Sequence, residues 1–481
     1  MHNRRLPISV LTTEARDDYG YHDPQTNQLI EFLRNKPETC PLDDCLRDIY
    51  RYPTFYGLEY LAEGVRVIKG ETIVEGELAD NGEMDFISPE DAARFPRTIL
   101  EEGDLVMSVR GTVGKAAVVP SEFAGSIINA NLIRMQLKDK VDPYYLHAYL
   151  TSRVGQTLIE RQTTKAIQST ITVPYIKAIP VWLPNKDTMQ CQIAQTLQDA
   201  YQERRKLLQT VDELQQTFDS YLKSKLAIKE ENVIDEPRFR VKTSSLRRRH
   251  DVEFFQPKNY SLQALLKSVG ARRLNEVFTY SSETRDPTKN PLETFDYVGI
   301  ASIDVHLGNI TAPMKIVGEF APSRARRVIR KGNRLVSTVR PTRGAIAIVP
   351  VELDDQICST GFAVLEPKDE VEPLFLHSML RMDVVRQQFG RFATGASYPA
   401  IIKSDMNEVL LPFTEDKNLQ REISEEACRR FQEASSKIAE ADDLLDRSRR
   451  EIEKLILGKD FSLDIGANEH ITSPVFDTIN A

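Results

Sequence analysis

Gly103-Asp-Leu-Val-Met-Ser-Val-Arg110-Gly-Thr-Val-Gly114-Lys115 and Asn333-Arg-Leu-Val-Ser-Thr-Val-Arg340-Pro-Thr-Arg-Gly344-Ala345 lie 230 positions apart. Each reads as a strand, a tight turn and the start of a second strand. Slid by that interval, the second half of the chain falls on the first almost without gaps. Val119-Pro120 meets Val349-Pro350, Pro143 meets Pro373, and Leu146-His147 meets Leu376-His377. Thr164 and Ala166 meet Thr394 and Ala396, Ile171 meets Ile401, and Ile193 meets Ile423. The chain therefore contains one unit twice. Two similar faces on one chain suit a target that also has two parts, and duplex DNA with two half-sites is the obvious one.

Outward from the quoted stretch, short apolar runs at residues 65–68, 105–109, 116–119 and 131–135 predict strands in the first copy. Residues 297–300, 334–339 and 345–349 are their partners in the second. Pro143 and Pro373 open helical stretches, as first-turn prolines do. A long helix follows in each copy. Apolar positions recur at Ile193, Leu197, Ala200, Leu207, Val211, Leu214, Phe218 and Tyr221, with Arg204 interrupting the seam. The second series is Ala427, Phe431, Ala434, Ile438, Ala441, Leu445, Ser448, Ile452 and Leu455. Alternating steps of three and four predict a coiled-coil seam, each helix reaching on the order of 60 Å. The competing reading is a long amphipathic helix lying on its own domain. The expected fold is α/β (α+β), duplicated, each copy followed by a long helix.

The 481 residues exceed what one core usually holds, so several domains are expected. A hydrophobic share of 41% with 28% charged residues places the chain among globular proteins rather than disordered or membrane ones. No apolar run reaches the roughly 18–20 residues that span a bilayer. Met1-His2-Asn3-Arg4-Arg5-Leu6-Pro7 lacks the apolar core of a signal peptide. Five scattered cysteines point to a reducing, cytoplasmic setting. Cys40 and Cys45 have no second Cys or His pair nearby, so no metal site is expected. A net charge of -8 argues against a simple nucleic-acid coat but permits a local basic groove.

Catalytic motifs are not found. Gly111-Thr-Val-Gly114-Lys115-Ala116 lacks the spacing and the hydroxyl of a phosphate-binding loop and reads as a strand-connecting turn. There is no Gly-x-Gly-x-x-Gly, no Gly-x-Ser-x-Gly, and no Asn/Asp-Pro-Pro-aromatic loop. His147 and His377 occupy equivalent helix positions and read as a shared packing or capping feature.

Two features point to DNA. From Ser323 to Arg343 the second copy carries Arg324, Arg326, Arg327, Arg330, Lys331, Arg334, Arg340 and Arg343 and no acidic residue. Arginine favours forked contacts to phosphate and guanine. The equivalent stretch of the first copy sets Arg94, Arg97 and Arg110 against Glu101, Glu102 and Asp104. One scaffold with two surface chemistries is what readers of two different sequences require. The second feature is a polar turn: residues 163–170, with Lys165 and Gln168, and 393–400, with Thr394, Ser397 and Tyr398. Its small hydroxyl residues suit a helix cap and equally suit an approach to a nucleic-acid backbone. The candidate DNA-binding residues are Arg110, Thr112, Lys115, Lys165 and Gln168 in the first copy. In the second they are Arg324, Arg326, Arg327, Arg340, Thr342, Arg343, Thr394, Ser397 and Tyr398. No catalytic or metal-ligating residue is nominated.

Taken together, these features resemble the specificity subunit of type I restriction-modification enzymes, over nearly the whole chain. Arg249-His-Asp251-Val-Glu-Phe254-Phe-Gln-Pro257 is similar to the family's opening motif, and Arg16-Asp-Asp18-Tyr-Gly-Tyr21-His-Asp-Pro24 is its weaker copy. Gly103 to Lys115 looks like the family's strand-turn-strand. Ala393-Thr-Gly395-Ala, Ile401 and Leu410-Leu-Pro412-Phe match the segment leading into the long helix. The first copy departs there, with Lys165 where Gly395 stands.

The resemblance implies target-recognition domains at 1–187 and 241–414, spacer helices at 188–230 and 415–458, a linker at 231–240 and a tail at 459–481. It implies that each domain reads one half of a bipartite, asymmetric site in double-stranded DNA, with the helices packed antiparallel between them. It implies recruitment of two methyltransferase subunits, which carry S-adenosylmethionine and methylate adenine, and of a restriction-translocation subunit. This chain would then bind no cofactor and catalyse nothing. The alternatives are a homologous recognition subunit guiding a different defence or modification effector, and a structural coiled-coil protein with two ligand-binding modules.

Overall fold

A computed structural model of the chain describes residues 23–51, 59–80, 84–164, 169–230, 233, 236, 238–242, 249, 251–395 and 398–458. Most of the motif around Arg16, much of the linker at 231–240, the tail from 459, and the candidate residues Lys165, Gln168 and Ser397 lie outside them. Two compact units appear. One holds the chain to Arg205 with the end of the second long helix from Ala441, and the other holds Lys206–Glu440.

In the first unit, α1 (Pro24–Asn35) and β1 (Thr39–Pro41) lead into β2 (Leu46–Arg51), β3 (Val65–Ile68) and β4 (Asp85–Ile87). Then come β5 (Leu105–Ser108), β6 (Ala116–Val118), β7 (Ile127–Ile128) and β8 (Leu132–Leu137). After them lie α2 (Pro143–Thr151), α3 (Arg153–Gln162), β9 (Pro180–Trp182) and the long α4 (Cys191–Lys225). The main sheet has the order β2-β8-β5-β6 and is antiparallel throughout. A three-stranded sheet has the order β4-β3-β7, and β1 pairs with β9.

The second unit repeats this plan. It comprises α5 (Pro257–Ser268), β10 (Arg272–Arg273), β11 (Phe278–Tyr280), β12 (Thr294–Val298), β13 (Met314–Val317) and β14 (Ala325–Ile329). These are followed by β15 (Arg334–Ser337), β16 (Ile346–Ile348), β17 (Gln356–Ser359), β18 (Phe362–Pro367), α6 (Pro373–Arg381), α7 (Asp383–Phe392), β19 (Leu410–Leu411) and α8 (Lys417–Leu457). Its main sheet, β11-β18-β15-β16, has the order of β2-β8-β5-β6. The other sheet runs β13-β12-β17-β14. The pairs β6 and β16, β8 and β18, α2 and α6, and α3 and α7 each coincide after the 230-residue shift.

Alternation along the central strand explains the layering, because successive side chains of a strand face opposite ways. Leu105 and Met107 pack among α1, α2, α3 and the long helices, while Val106 faces the second sheet with Ala117, Leu132 and Ile127. In the second unit Val336 joins the helix-side core and Leu335 the sheet-side core. A sheet covered on both faces reads as a continuous apolar run, which is how both stretches look. The helices start at defined caps: Asp142 accepts from the N–H groups of Tyr144 (2.9 Å) and Tyr145 (3.0 Å), with Pro143 in the first turn.

The long helices run antiparallel to each other within each unit. In the first, Ser448 Oγ donates to the Thr196 carbonyl at 3.5 Å. Arg204, which interrupts the apolar seam, lies 3.8 Å from Asp442. In the second, Phe218 meets Phe431 edge-on at 6.2 Å, and Arg430 donates to the Leu214 carbonyl (3.0 Å) and to Thr217 Oγ1 (2.7 Å).

His147 and His377 are buried in their units, each beside the long helix. His147 stacks on Tyr201 at 5.9 Å, and His377 meets Phe431, the shifted partner of Tyr201, also at 5.9 Å. Burial holds both imidazoles below the usual range, His147 at about 4. Among the described residues no group of His, Cys, Asp and Glu is arranged to hold a metal, and no helix is long and apolar enough to cross a membrane.

Candidate nucleic-acid interface

The turn after β15 and the loop after α7 are joined by backbone hydrogen bonds. Arg340 N–H donates to the Pro399 carbonyl (2.6 Å), and Ile401 N–H to that of Thr338 (2.9 Å). Thr394 and Ala400 exchange bonds of 2.9 and 2.8 Å, closing the loop. The first unit builds the same arrangement from the matching residues. Gly111 N–H donates to Ser169 (3.0 Å), Ile171 N–H to Val109 (3.1 Å), and Thr164 and Thr170 close the loop. Arg110, Thr112 and Thr164 thus gather at one sheet end in the first unit, and Arg340, Thr342, Arg343, Thr394 and Tyr398 in the second. Thr112, Lys115, Thr342, Arg343 and Thr394 are exposed.

Arg340 has φ 47°, in the left-handed region that a residue with a Cβ enters only at a cost. The fold of the turn supplies the reason. The Arg340 N–H bonds the Pro399 carbonyl as that of Gly111 (φ 80°) bonds Ser169 in the first unit, and the next residue, Pro341, cannot take a positive φ. The left-handed position is therefore the same in both turns and falls on a glycine in the first and on an arginine in the second. There the guanidinium lies 4.7 Å from the ring of Tyr398, whose side chain is 70% exposed. An arginine plane stacked on an exposed aromatic presents forked donors at a fixed angle, the geometry that guanine edges and phosphates accept. Gly344 (φ 75°) allows the turn to rest on Arg386, as Gly114 (φ 91°) rests on Gln156, the shifted equivalent.

The arginine run divides. Arg324 is exposed, and its carbonyl accepts from Thr360 N–H (2.8 Å), next to Gly361, whose carbonyl accepts from Thr338 N–H (2.8 Å). That chain of bonds ties Arg324 to the Arg340 turn. Arg326 and Arg327 lie on β14, half-buried, with Arg326 3.5 Å from Asp286. Two members of the basic stretch are corrections to its reading as an unpaired positive surface. Arg330 pairs with Glu283 (2.5 Å) and Asp355 (2.8 Å), acids brought from other segments. Arg334 opens β15 with only 2% of its surface exposed, donates to the Pro373 carbonyl at 2.7 Å, and is pushed down to about 10 by burial. By strand pairing it stands where Leu105 does in the first unit, opposite Ile348 as Leu105 is opposite Val118, one place after the equivalent of Asp104. Asp104 is itself buried against Arg134 (2.6 Å), and burial raises its carboxyl in spite of that partner.

Sequence reading missed Arg51. It ends β2, and its Nε donates to the Ala130 carbonyl at 3.4 Å, at the sheet end where Val109 N–H meets the Asn131 carbonyl. Partial burial, and next the charge of Arg110, hold its guanidinium below the usual range. Two cations placed together mark a site that suits an anion. The available signal was the basic-aromatic alternation Tyr50-Arg51-Tyr52.

Residues 61–213 match the family model described as type I restriction modification DNA specificity domain. That segment carries the Arg110 turn and the first part of α4. Among particular proteins, the chain is 31% identical over 105 residues to the type I restriction enzyme HindI specificity subunit of Haemophilus influenzae, covering 21% of this chain and 23% of that protein. The chain thus matches less than a quarter of the length of this curated relative. The HsdS subunit from Thermoanaerobacter tengcongensis is 43% identical over 36% of this chain and 45% of its own, with a TM-score of 0.31. A chain solved in work on complex assembly and conformational transition of the type I R-M system is 35% identical, covering 41% of this chain and 50% of its own, with a TM-score of 0.32.

Proposed function

We propose that this chain is the DNA-specificity subunit of a type I restriction-modification system and reads a bipartite, asymmetric site in double-stranded DNA. One observation carries the reading. The same hydrogen-bonded turn-and-loop pair occurs in both units, at Arg110/Thr164/Thr170 and at Val339/Thr394/Ala400, with different side chains mounted on it. One frame presenting two chemistries suits two unlike half-sites. Positioning comes from hydroxyls, amides and arginines against phosphate, and sequence is read by arginine against base edges.

On this reading the target-recognition domains are 1–187 and 241–414, and α4 and α8 form an antiparallel coiled-coil spacer. Two methyltransferase subunits bring S-adenosylmethionine for adenine methylation, and a restriction-translocation subunit completes the complex. This chain itself performs no catalytic step and works in the cytoplasm.

Selection of DNA from a random pool, with the methyltransferase subunit present, tests the reading. A gapped sequence of two unlike parts is the expected result. A single continuous motif, or no sequence preference, overturns it.

A further inference from the structure

We propose that Cys40 and Cys45 are a peroxide-oxidisable thiol pair that closes to an intramolecular disulfide within the first unit. Their Sγ atoms lie 4.0 Å apart. Cys40 is half-buried on β1, opposite Val181 of β9, and Cys45 is buried at the end of the short turn Leu42–Cys45. A disulfide needs its sulfurs at about 2.05 Å, so an approach of about 2 Å closes the bond. The pair is asymmetric. Cys40 is held down, to about 7, first by the hydrogen bond with Cys45 and further by the charges of Lys140 and Lys138, while that bond and burial push Cys45 up. Cys40 is therefore the nucleophile and Cys45 the resolving thiol.

The second unit has Gly270 and Asn275 at the shifted positions, so the pair belongs to the first unit alone. The inference stands on this geometry and does not rest on the DNA-binding reading.

The chemistry balances with hydrogen peroxide as oxidant. The Cys40 thiolate attacks one peroxide oxygen; an S–O bond forms, the O–O bond breaks, and hydroxide leaves and takes up a proton to become water. Cys45 sulfur then attacks the Cys40 sulfur. The S–S bond forms, the S–O bond breaks, and the departing oxygen leaves as a second water with the Cys45 proton. The two thiols together lose two electrons, and the peroxide gains them. A dithiol reductant reverses the change.

The test treats the reduced, full-length chain with hydrogen peroxide, quenches it, and counts thiols after denaturation. Titratable cysteines are expected to fall from five to three, with a peptide linking Cys40 to Cys45 and no cross-linked dimer. Cys191→Ser, which removes the exposed cysteine, should still lose two thiols. Cys45→Ser should stop at a sulfenic acid on Cys40 that dimedone traps. The urea-unfolded chain should form the link more slowly. Retention of all five thiols overturns the proposal, as does loss only through Cys191 cross-links or over-oxidation of Cys40 while Cys45 stays reduced. Should Cys45→Ser fail to fold, the wild-type peptide map and Cys191→Ser decide alone.

Discussion

The backbone N–H of Arg153, the first residue of α3, donates to Oε1 of Glu453 on the last turns of α8, 2.9 Å away and 300 positions later in the chain. The second unit has the counterpart. Asp383 N–H, at the start of α7, donates to Oδ1 of Asp219 on α4 at 2.9 Å. Residues 153 and 383 are equivalent under the repeat, and each receives its cap from the long helix of the other copy. The first amides of a helix have no partner within it, so an outside carboxylate satisfies one and also opposes the helix dipole. Met382, the cap residue of α7, offers no side-chain acceptor of its own, which makes Asp219 the more needed.

Removing either cap should destabilise the unit that contains it. Glu453→Ala and Asp219→Ala are each expected to cost about 1 kcal/mol. Glu453→Gln, which keeps an acceptor, should lose less. Urea denaturation midpoints check this.

Arg340 and Arg343 should differ in what they do to DNA binding. Arg340, stacked on Tyr398, is expected to relax preference at one base position when changed to Ala, at a cost of about 1–3 kcal/mol. Arg343→Ala should weaken specific and non-specific binding alike and lower the salt slope by about one. Affinities for cognate and random duplexes over a range of salt separate the two.

Arg334 should matter to folding and not to DNA. Replacing it with Ala leaves the Pro373 carbonyl without its donor and opens space in the core, at a cost of roughly 2–4 kcal/mol. The protein that remains folded should bind DNA as the parent does, measured by thermal unfolding beside a binding titration.

Acid should weaken the first unit through His147. Burial holds its folded-state value at about 4, against an unfolded value near 6.5, so the unfolded chain takes up the proton first. The stabilising contribution is complete above pH about 6.5 and is lost as pH falls toward 4, a change of roughly 3 kcal/mol. His147→Gln should flatten that part of the stability profile, read as the urea midpoint from pH 7 to 4.5.

Much of the strand-and-helix plan was legible. Repeated Val-Arg and Gly pairs placed β5 with β15 to within one residue, and prolines at 143 and 373 marked the starts of α2 and α6. These signals are local: alternation, turn glycines and helix starts each depend on a few neighbouring residues. The interface was legible in part. Arg340 stands in a basic run and Thr394 and Tyr398 in a polar turn, which are local patterns, while Arg51 carries too short a signal to stand out.

What the chain order by itself determined is the repeat, the strand-turn-strand units and the long apolar seams, because those are written in spacing. Only the tertiary structure decided which arginines of one basic run face water and which are absorbed. Arg330 meets Glu283 and Asp355 from other segments, and Arg334 lies under the layers that cover both faces of its sheet. It likewise decided that each copy's helix cap comes from the other copy's long helix. Charge neutralisation and burial depend on what is brought close in space, and residues hundreds of positions apart leave no local pattern to announce that they will meet.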